Sequence, residues 1–412
     1  MEKKPIIGLL HYSYPPVVGG VEKIVFDHAQ YFAKYGFKTH VFAGDGDNDN
    51  PNIQLHIVPE LQSLNNTNPS LLSDIFNHPT FPKELESESG IIYKKLEVAL
   101  RNIDILFIHN VLTNSLNPCI NIALAKYIKN NPSKKYVSWV HDIALDPMRS
   151  PYTYVNSELT NLIYKPLPGV HYIGISQFLK NTLIKDIGLK ESSVTVIPNG
   201  IDLISLLNLH PLSADICSRY ELIKRDVLIF LPMKIMRHKN IDLCIRVLAD
   251  IKNLKKKPMM IISANNFPHG KSGLYVSEIR KTILELNLKN DVILLHNEID
   301  EKYRTIEYKI VDDFYRLSDI VLLLSSYENF GLPLLESGIT KTPILVNNLE
   351  VFGEIEAEHI YRTDIENEDS KQIAEKVLSI VETNPQISFF RKVKYEFNFD
   401  TIFQNKILPF VS

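Results

Sequence analysis

Short apolar runs recur along this chain, each followed by a stretch whose apolar residues repeat at helical spacing, and this alternation constrains the fold more than any other feature. PIIGLLHY leads through the turn SYPPVVGG into VEKIVFDHAQYFAKYG, a helical pattern stopped by Gly36, and KTHVFAG then supplies a second strand-like run. A strand, a glycine-bearing turn, a helix and a further strand make a βαβ unit, which sets the strands parallel and lays helices on the faces of the sheet. IDILFIHN, KKYVSWVHD, VHYIGIS and SVTVIPNG continue the series. A second series opens at DVLIFLPMK, passes through the helical pattern IDLCIRVLADIKNL, and runs on through PMMIISA, DVILLHN, DIVLLLSS and PILVNN. The expected fold class is α/β, with two Rossmann-like domains on parallel sheets.

The length of 412 residues suits two cores rather than one. The pattern predicts an N-terminal Rossmann-like domain over 1–200 and a C-terminal one over 201–390, with the linker at PNGID. The segment FFRKVKYEFNFDTIFQNKILPFV has helical spacing and aromatic anchors, and residues 391–412 are expected to form a helix crossing back to the first domain. Two stretches, 61–90 and 143–170, read as long polar or proline-bearing insertions, either lids or loosely packed excursions.

Forty-five basic residues against 48 acidic ones leave a formal charge of -3, so no clustered basic face marks a nucleic-acid partner. Cys119, Cys217 and Cys244 lack metal-ligand or redox spacing and read as buried apolar residues of a reducing compartment. The first apolar run is too short for a signal segment, and no run reaches the length of a membrane span, so the expectation is a cytoplasmic protein, at most peripheral to a membrane. In GDGDNDNP, Asp45, Asp47 and Asp49 alternate like the start of a calcium loop. Asn50 and His56 occupy the places where that motif needs glycine and glutamate, so the run reads as a solvated turn and no metal is expected. NLKKKP reads as a surface loop.

The segment SSYENFGLPLLESG carries the strongest chemical signal. Glu328 and Glu336 stand eight residues apart around a turn and a helix start, where Pro333 is suited to the first turn. Backbone amides of Phe330, Gly331, Leu332 and Leu334 at such a helix start favour a phosphate or the hydroxyls of a sugar phosphate. FLPMKIMRHKNIDLCIRVL gathers Lys234, Arg237 and Lys239 between a strand end and a helix, where cations neutralise a diphosphate. Gly19 and Gly20 follow the first strand and let backbone approach a ligand. WVHDIA sets His141 and Asp142 at the end of a buried run.

Together these segments resemble the retaining family 4 glycosyltransferases, whose E-x7-E motif SSYENFGLPLLESG matches, and the likeness extends over nearly the whole chain. The resemblance implies the GT-B fold, two facing Rossmann-like domains with a deep cleft between them, residues 1–200 on the acceptor side and 201–390 binding the nucleotide sugar. It assigns Glu328 to the transferred sugar, Glu336 to the nucleotide ribose and His141 to a sugar contact with a role at the reacting centre, which makes His141, Lys239 and Glu328 the expected catalytic residues, and it likens the Gly19–Gly20 loop to one that closes over donor phosphate and acceptor. The family's R-x4-K pair corresponds to Lys234 and Lys239, so a lysine stands where the arginine is usual and a point charge replaces a planar fork. Arg237 is the candidate to compensate. Ser176 in ISQFLK, with Asn199 and Gly200 in IPNGID, falls on segments that line the hinge.

The implied activity is metal-independent transfer of a hexose from a nucleotide sugar, of the GDP-mannose or UDP-glucose type, with retention and with the departing phosphate taking the acceptor's proton. The nucleotide sugar is a co-substrate and no further cofactor is expected. LHYSYPPVVGGVEK, VHDIA and IMRHKNI resemble bacterial enzymes that glycosylate small soluble acceptors such as sugar acids, with lipid-linked and polysaccharide acceptors still open. Three other readings share these residues: a nucleotide-sugar-binding protein without catalysis, a GT-B nucleotide-sugar epimerase, which would convert donor with no acceptor present, and a phosphorylase, for which no cofactor-lysine motif is visible.

Overall fold

The computed structural model describes residues 4–78, 80–143, 161–162, 165–263, 271–298, 306–355 and 360–411. The chain divides into two compact units, residues 1–202 with 399–412, and residues 203–398.

The first unit is built on a seven-stranded parallel sheet: β1 (Ile7–Leu10), β2 (Thr39–Ala43), β3 (Ile53–Ile57), β4 (Ile105–His109), β5 (Lys135–Val140), β6 (Val170–Gly174) and β7 (Val194–Val196). Their order is β3-β2-β1-β4-β5-β6-β7. Strands β1, β2 and β4 are buried throughout, as strands covered by helices on both faces must be. The second unit holds a six-stranded parallel sheet: β8 (Val227–Leu231), β9 (Pro258–Ile262), β10 (Val292–Leu294), β11 (Ile320–Leu323), β12 (Ile344–Asn347) and β13 (Ile360–Thr363), in the order β10-β9-β8-β11-β12-β13. Each order reverses once, between β1 and β4 in the first unit and between β8 and β11 in the second. Loops leaving the carboxyl ends of the two strands at a reversal diverge, and the crevice they leave is where open α/β sheets bind ligands.

Strands β3 and β13 were not expected from the sequence, and both lie at sheet edges. IQLHI and IYRT mix polar and apolar residues because an edge strand is covered on fewer sides, so neither reads as a continuous apolar run.

The reading of 61–90 as a polar insertion also needs correction. Helices Leu64–Thr67, Pro69–Asn77 and the start of Lys83–Ala99 fill it. Asn68 accepts the Leu71 amide as an N-cap, Pro69 opens the helix, and Leu71, Leu72, Ile75 and Phe76 pack into the core of the unit. Of the second insertion, residues 144–160, 163 and 164 lie outside the described residues.

The C-terminal segment is not one continuous helix. Pro385–Glu396 belongs to the second unit; from Phe399 the chain joins the first as Phe399–Ile402, a π-turn Phe403–Ile407, and Leu408–Val411. The Phe399 amide donates to the Ile201 carbonyl at 3.0 Å, and Phe399 and Phe403 pack against Tyr31. Gly200 is needed at this junction, since a Cβ there would lie 2.7 Å from the Phe399 backbone.

Candidate functional site

In the second unit, the two strands that flank the reversal deliver the charged residues. β8 ends at Leu231, and the loop that follows carries exposed Lys234 and then a 3-10 turn, Arg237–Lys239, before helix Ile241–Asn253. β11 ends at Leu323 and leads to Ser325, Ser326 and Glu328. The two loops are stitched together: the Ser326 amide donates to the His238 carbonyl at 2.8 Å and the Asn240 side-chain amide to the Leu324 carbonyl at 2.8 Å. This brings the Lys239 ammonium onto Glu328 Oε1 in an ion pair whose side chains are only 16% and 12% exposed. Ser325 Oγ donates to the same carboxylate oxygen at 2.9 Å. A cation and an anion are thus held side by side at the carboxyl end of the sheet, 89 residues apart in sequence.

Gly331 starts the helix Leu332–Thr340 in the left-handed region, at φ 90°. A Cβ there would meet the buried Phe352 ring at 2.7 Å, so glycine is required on both backbone and packing grounds. The Leu334 amide, expected to be available to a ligand, donates instead to the Gly331 carbonyl at 2.9 Å, because the first turn tightens around Pro333. The amides of Gly331 and Leu332 make no such backbone bond among the described residues. Glu336, further along the helix, accepts a 2.6 Å hydrogen bond from the buried Tyr315 hydroxyl, which orients its carboxylate. Phe330 is exposed beside the helix start.

Arg237 is not brought to Lys239 and Glu328. Its guanidinium pairs with Glu278 at 2.7 Å and lies over the Tyr275 ring at 5.0 Å.

In the first unit, three histidines stand at the carboxyl ends of strands around the other reversal: His11 just after β1, His109 closing β4 and His141 just after β5. His11 Nδ1 donates to the His109 carbonyl at 2.8 Å. The His109 ring reaches His141 Nε2 at 3.5 Å, and the Asn199 amide lies 3.3 Å from His141 Nδ1. Asn110 Oδ1 accepts the amides of His141 and Asp142 at 3.1 and 3.0 Å, and the Asp142 carboxylate accepts the side-chain amides of Asn110 and Asn114, so the loop after β5 is pinned. Burial, with His11 nearby, holds the His141 imidazole down to about 3, so it is neutral at physiological pH.

The Gly19–Gly20 pair opens helix Gly20–Lys34, with Gly19 as its N-cap in an extended conformation. Glu22 in its first turn folds back over Gly19, where an added Cβ would lie 2.0 Å from Glu22 Oε2. Ser13 Oγ donates to Glu22 Oε1 at 2.7 Å and His11 Nε2 stands 3.7 Å away. These neighbours, His11 foremost, hold the carboxyl down at about 2. Ser176 caps helix Gln177–Ile187, accepting the Leu179 amide at 3.1 Å.

His11, Glu22, His28 and His109 were not singled out in the sequence. A signal was available: IIGLLH, ILFIH and VSWVH are three apolar runs that each end in histidine. Asp45 and Asp47 accept the amides of Gly46 and Asn48, closing their own turn, and among the described residues no His, Cys, Asp or Glu group is arranged to hold a metal. No helix of the described residues is long and apolar enough to cross a membrane.

Two family profiles match the chain, Glycosyltransferase Family 4 over residues 18–204 and Glycosyl transferases group 1 over residues 219–393. Mannosylglucosylglycerate synthase of Petrotoga mobilis is 23% identical over 371 residues, 84% of this chain and 83% of that protein. The Thermotoga maritima protein of the same name is 21% identical, with 84% and 81% covered. Among solved structures, a glycosyltransferase from Rickettsia africae ESF-5 aligns over 99% of this chain and 98% of its own at 17% identity, with a TM-score of 0.37.

Proposed function

Because the chain belongs to the family 4, group 1 glycosyltransferases, we propose that it moves a hexose from a nucleoside-diphosphate sugar to a hydroxyl of a small soluble acceptor, with retention at the anomeric carbon. The observation that carries this reading is the Lys239–Glu328 pair at the strand reversal, next to the helix start at Gly331. A donor's diphosphate takes the Lys239 ammonium and the amides of Gly331 and Leu332, which stabilise the negative charge that grows as the sugar–phosphate bond breaks. Glu328, relieved of its cation, accepts hydrogen bonds from the hexose hydroxyls. Glu336, aimed by Tyr315, receives the ribose hydroxyls.

The acceptor oxygen bonds to the anomeric carbon on the face the phosphate leaves, and its proton passes to the departing phosphate oxygen. Lysine and helix amides supply the charge stabilisation, so the step needs no metal. The name shared by the two curated relatives favours mannose as the sugar and glucosylglycerate as the acceptor, and GDP-mannose and UDP-glucose are the donors to test.

The experiment is thermal unfolding of the protein with GDP, UDP and their sugars, with and without chelator, followed by product analysis with glucosylglycerate. Ligand that binds only the native state raises the melting temperature. A chelator-insensitive shift with one nucleotide family and an α-linked product are expected. Lys239→Ala and Glu328→Gln should each lower turnover by roughly a hundredfold or more; near-normal turnover in both would sink the assignment. Conversion of donor to an isomer without acceptor would instead establish an epimerase.

A further inference from the structure

The helices of 61–90, with the start of helix Pro118–Asn130, enclose a cavity of about 300 Å³ inside the first unit. Glu60, Glu88 and Asn117 line it beside Leu64, Leu71 and Ile92, and none of the described residues that line it is basic. Asn117 is only 2% exposed. Its amide nitrogen donates to the carbonyls of Glu60 at 3.1 Å and Gln62 at 2.7 Å, which settles which end of the amide is oxygen and uses both its donors. Oδ1 is left buried with no partner. Glu60 is in the same condition: Oε1 accepts from the Lys95 ammonium at 2.5 Å, while Oε2 is buried and unpaired. Burial works to raise the Glu60 carboxyl, but the Lys95 ammonium and a backbone hydrogen bond outweigh it and hold the group below the ordinary value, so it is ionised at neutral pH. Glu88 makes no ion pair among the described residues.

A buried acceptor that meets no donor is costly, and the unpaired polar atoms here are all acceptors, so the cavity calls for a ligand that brings donors. Two carboxylates against the single Lys95 leave a net negative charge, which favours a cation over a neutral polyol. We infer that this cavity is a binding site for a short primary alkylammonium compound, whose head group donates to Asn117 Oδ1, Glu60 Oε2 and the Glu88 carboxylate while its carbon chain lies on Leu64, Leu71 and Ile92. An ammonium carries three donors and no acceptor, which matches three acceptors with none left over. The volume stands at the lower end of small-molecule sites, which limits the ligand to a few carbons. Neither the strand-end histidines nor Lys239, Glu328 and Glu336 line the cavity, so the assignment stands apart from the transferase reading.

The test is ligand-observed NMR on the intact protein without nucleotide, titrating n-pentylammonium against n-pentanol as a neutral control of the same length. Wild type should bind the ammonium and prefer it to the alcohol. Its affinity should fall about tenfold or more in Glu60→Gln and in Glu88→Gln, the loss expected for a hydrogen bond to a charged group. Thr67 is exposed yet also lines the cavity, so Thr67→Trp should fill it from the surface and abolish binding. Glu86→Gln removes the same charge from an exposed position on the helix that carries Glu88, outside the lining, and should leave the affinity unchanged. Thermal unfolding of each variant reads folding; should Glu60→Gln, which also breaks the Lys95 pair, fail to fold, Glu88→Gln and Thr67→Trp decide. No ammonium binding by wild type, equal binding of alcohol and ammonium, binding that survives Thr67→Trp, or an equal loss in Glu86→Gln would each overturn the assignment.

Discussion

Among the described residues of the first unit, His28 is the one histidine with both buried ring nitrogens unpaired. Its ring meets Trp139 edge-on at 4.4 Å and His109 edge-on at 5.0 Å, and lies tilted against Phe399 at 5.3 Å, and neither ring nitrogen has a hydrogen-bond partner among the described residues. Burial holds its imidazole down to about 3 and keeps His109 well below the ordinary histidine value. A group neutral in the fold and protonated in the unfolded chain makes stability fall as pH drops from the unfolded value near 6.5 towards about 3. At pH 5 this amounts to about 2 kcal/mol for each such histidine. His28→Phe keeps the aromatic contacts and removes both unpaired nitrogens, so it should stabilise the protein at pH 7 by about 1–3 kcal/mol. Its advantage should widen by about 2 kcal/mol at pH 5. Thermal unfolding at the two pH values decides this; a variant less stable than wild type at both would mean the nitrogens are paired after all. What the sequence withheld here was the convergence of His11, His109 and His141 at strand ends with His28 on the helix Gly20–Lys34, because strand ends and the helices packed on them meet only once the strand order is known.

At the level of elements, the segment around Gly331 was legible because several local signals agree: an apolar strand, a turn, proline in the first turn and glycine before it. Gly331→Ala tests how tightly that geometry is set. At φ 90°, with Phe352 2.7 Å from the new methyl, alanine must shift either the backbone or a buried ring. A loss of about 1–3 kcal/mol follows from the backbone strain alone, read by denaturant unfolding, together with a weakened GDP-induced melting shift as the Gly331 and Leu332 amides turn away. An unchanged shift would remove this helix start from the nucleotide site. The Lys239–Glu328 pairing was less legible, since spacing places each residue at a strand end but says nothing of which strand ends are neighbours; only the order β8-β11 makes them adjacent. Edge strands β3 and β13 escaped for the opposite reason, having too little apolar pattern to be seen. The helices of 61–90 escaped because their polar faces dominate a window that also hides Leu71, Leu72, Ile75 and Phe76.

For the whole molecule, the most consequential segment is the shortest addition to the first unit. Residues 399–412 follow the whole second unit in sequence, yet they belong to a core begun by the first strands. Phe399, Ile402, Phe403, Ile407 and Val411 are all buried there, with Ile7, Val25, Phe32 and Trp139 in the same cluster. At about 1.5–3 kcal/mol for each large apolar side chain buried, these five contribute at most about 7–15 kcal/mol, the extended-chain reference making this an upper estimate. That rivals the total stability of a typical domain, about 5–15 kcal/mol. Lys34 and Tyr35 add contacts to Asp400 at 3.1 and 3.3 Å. The second unit has its own tie at its C-terminal end, where buried Lys394 meets Asp319 at 3.6 Å and the Arg225 carbonyl at 3.3 Å. A chain ending at Asn398 should therefore lose amide protection against hydrogen exchange across β1–β7 while keeping it across β8–β13, and should retain the GDP-induced stabilisation of the second unit. Uniform loss of protection in both sheets would mean that the two units unfold as one. Full protection in the first would mean that its core closes without the returning segment, against the burial of Phe399 and Phe403.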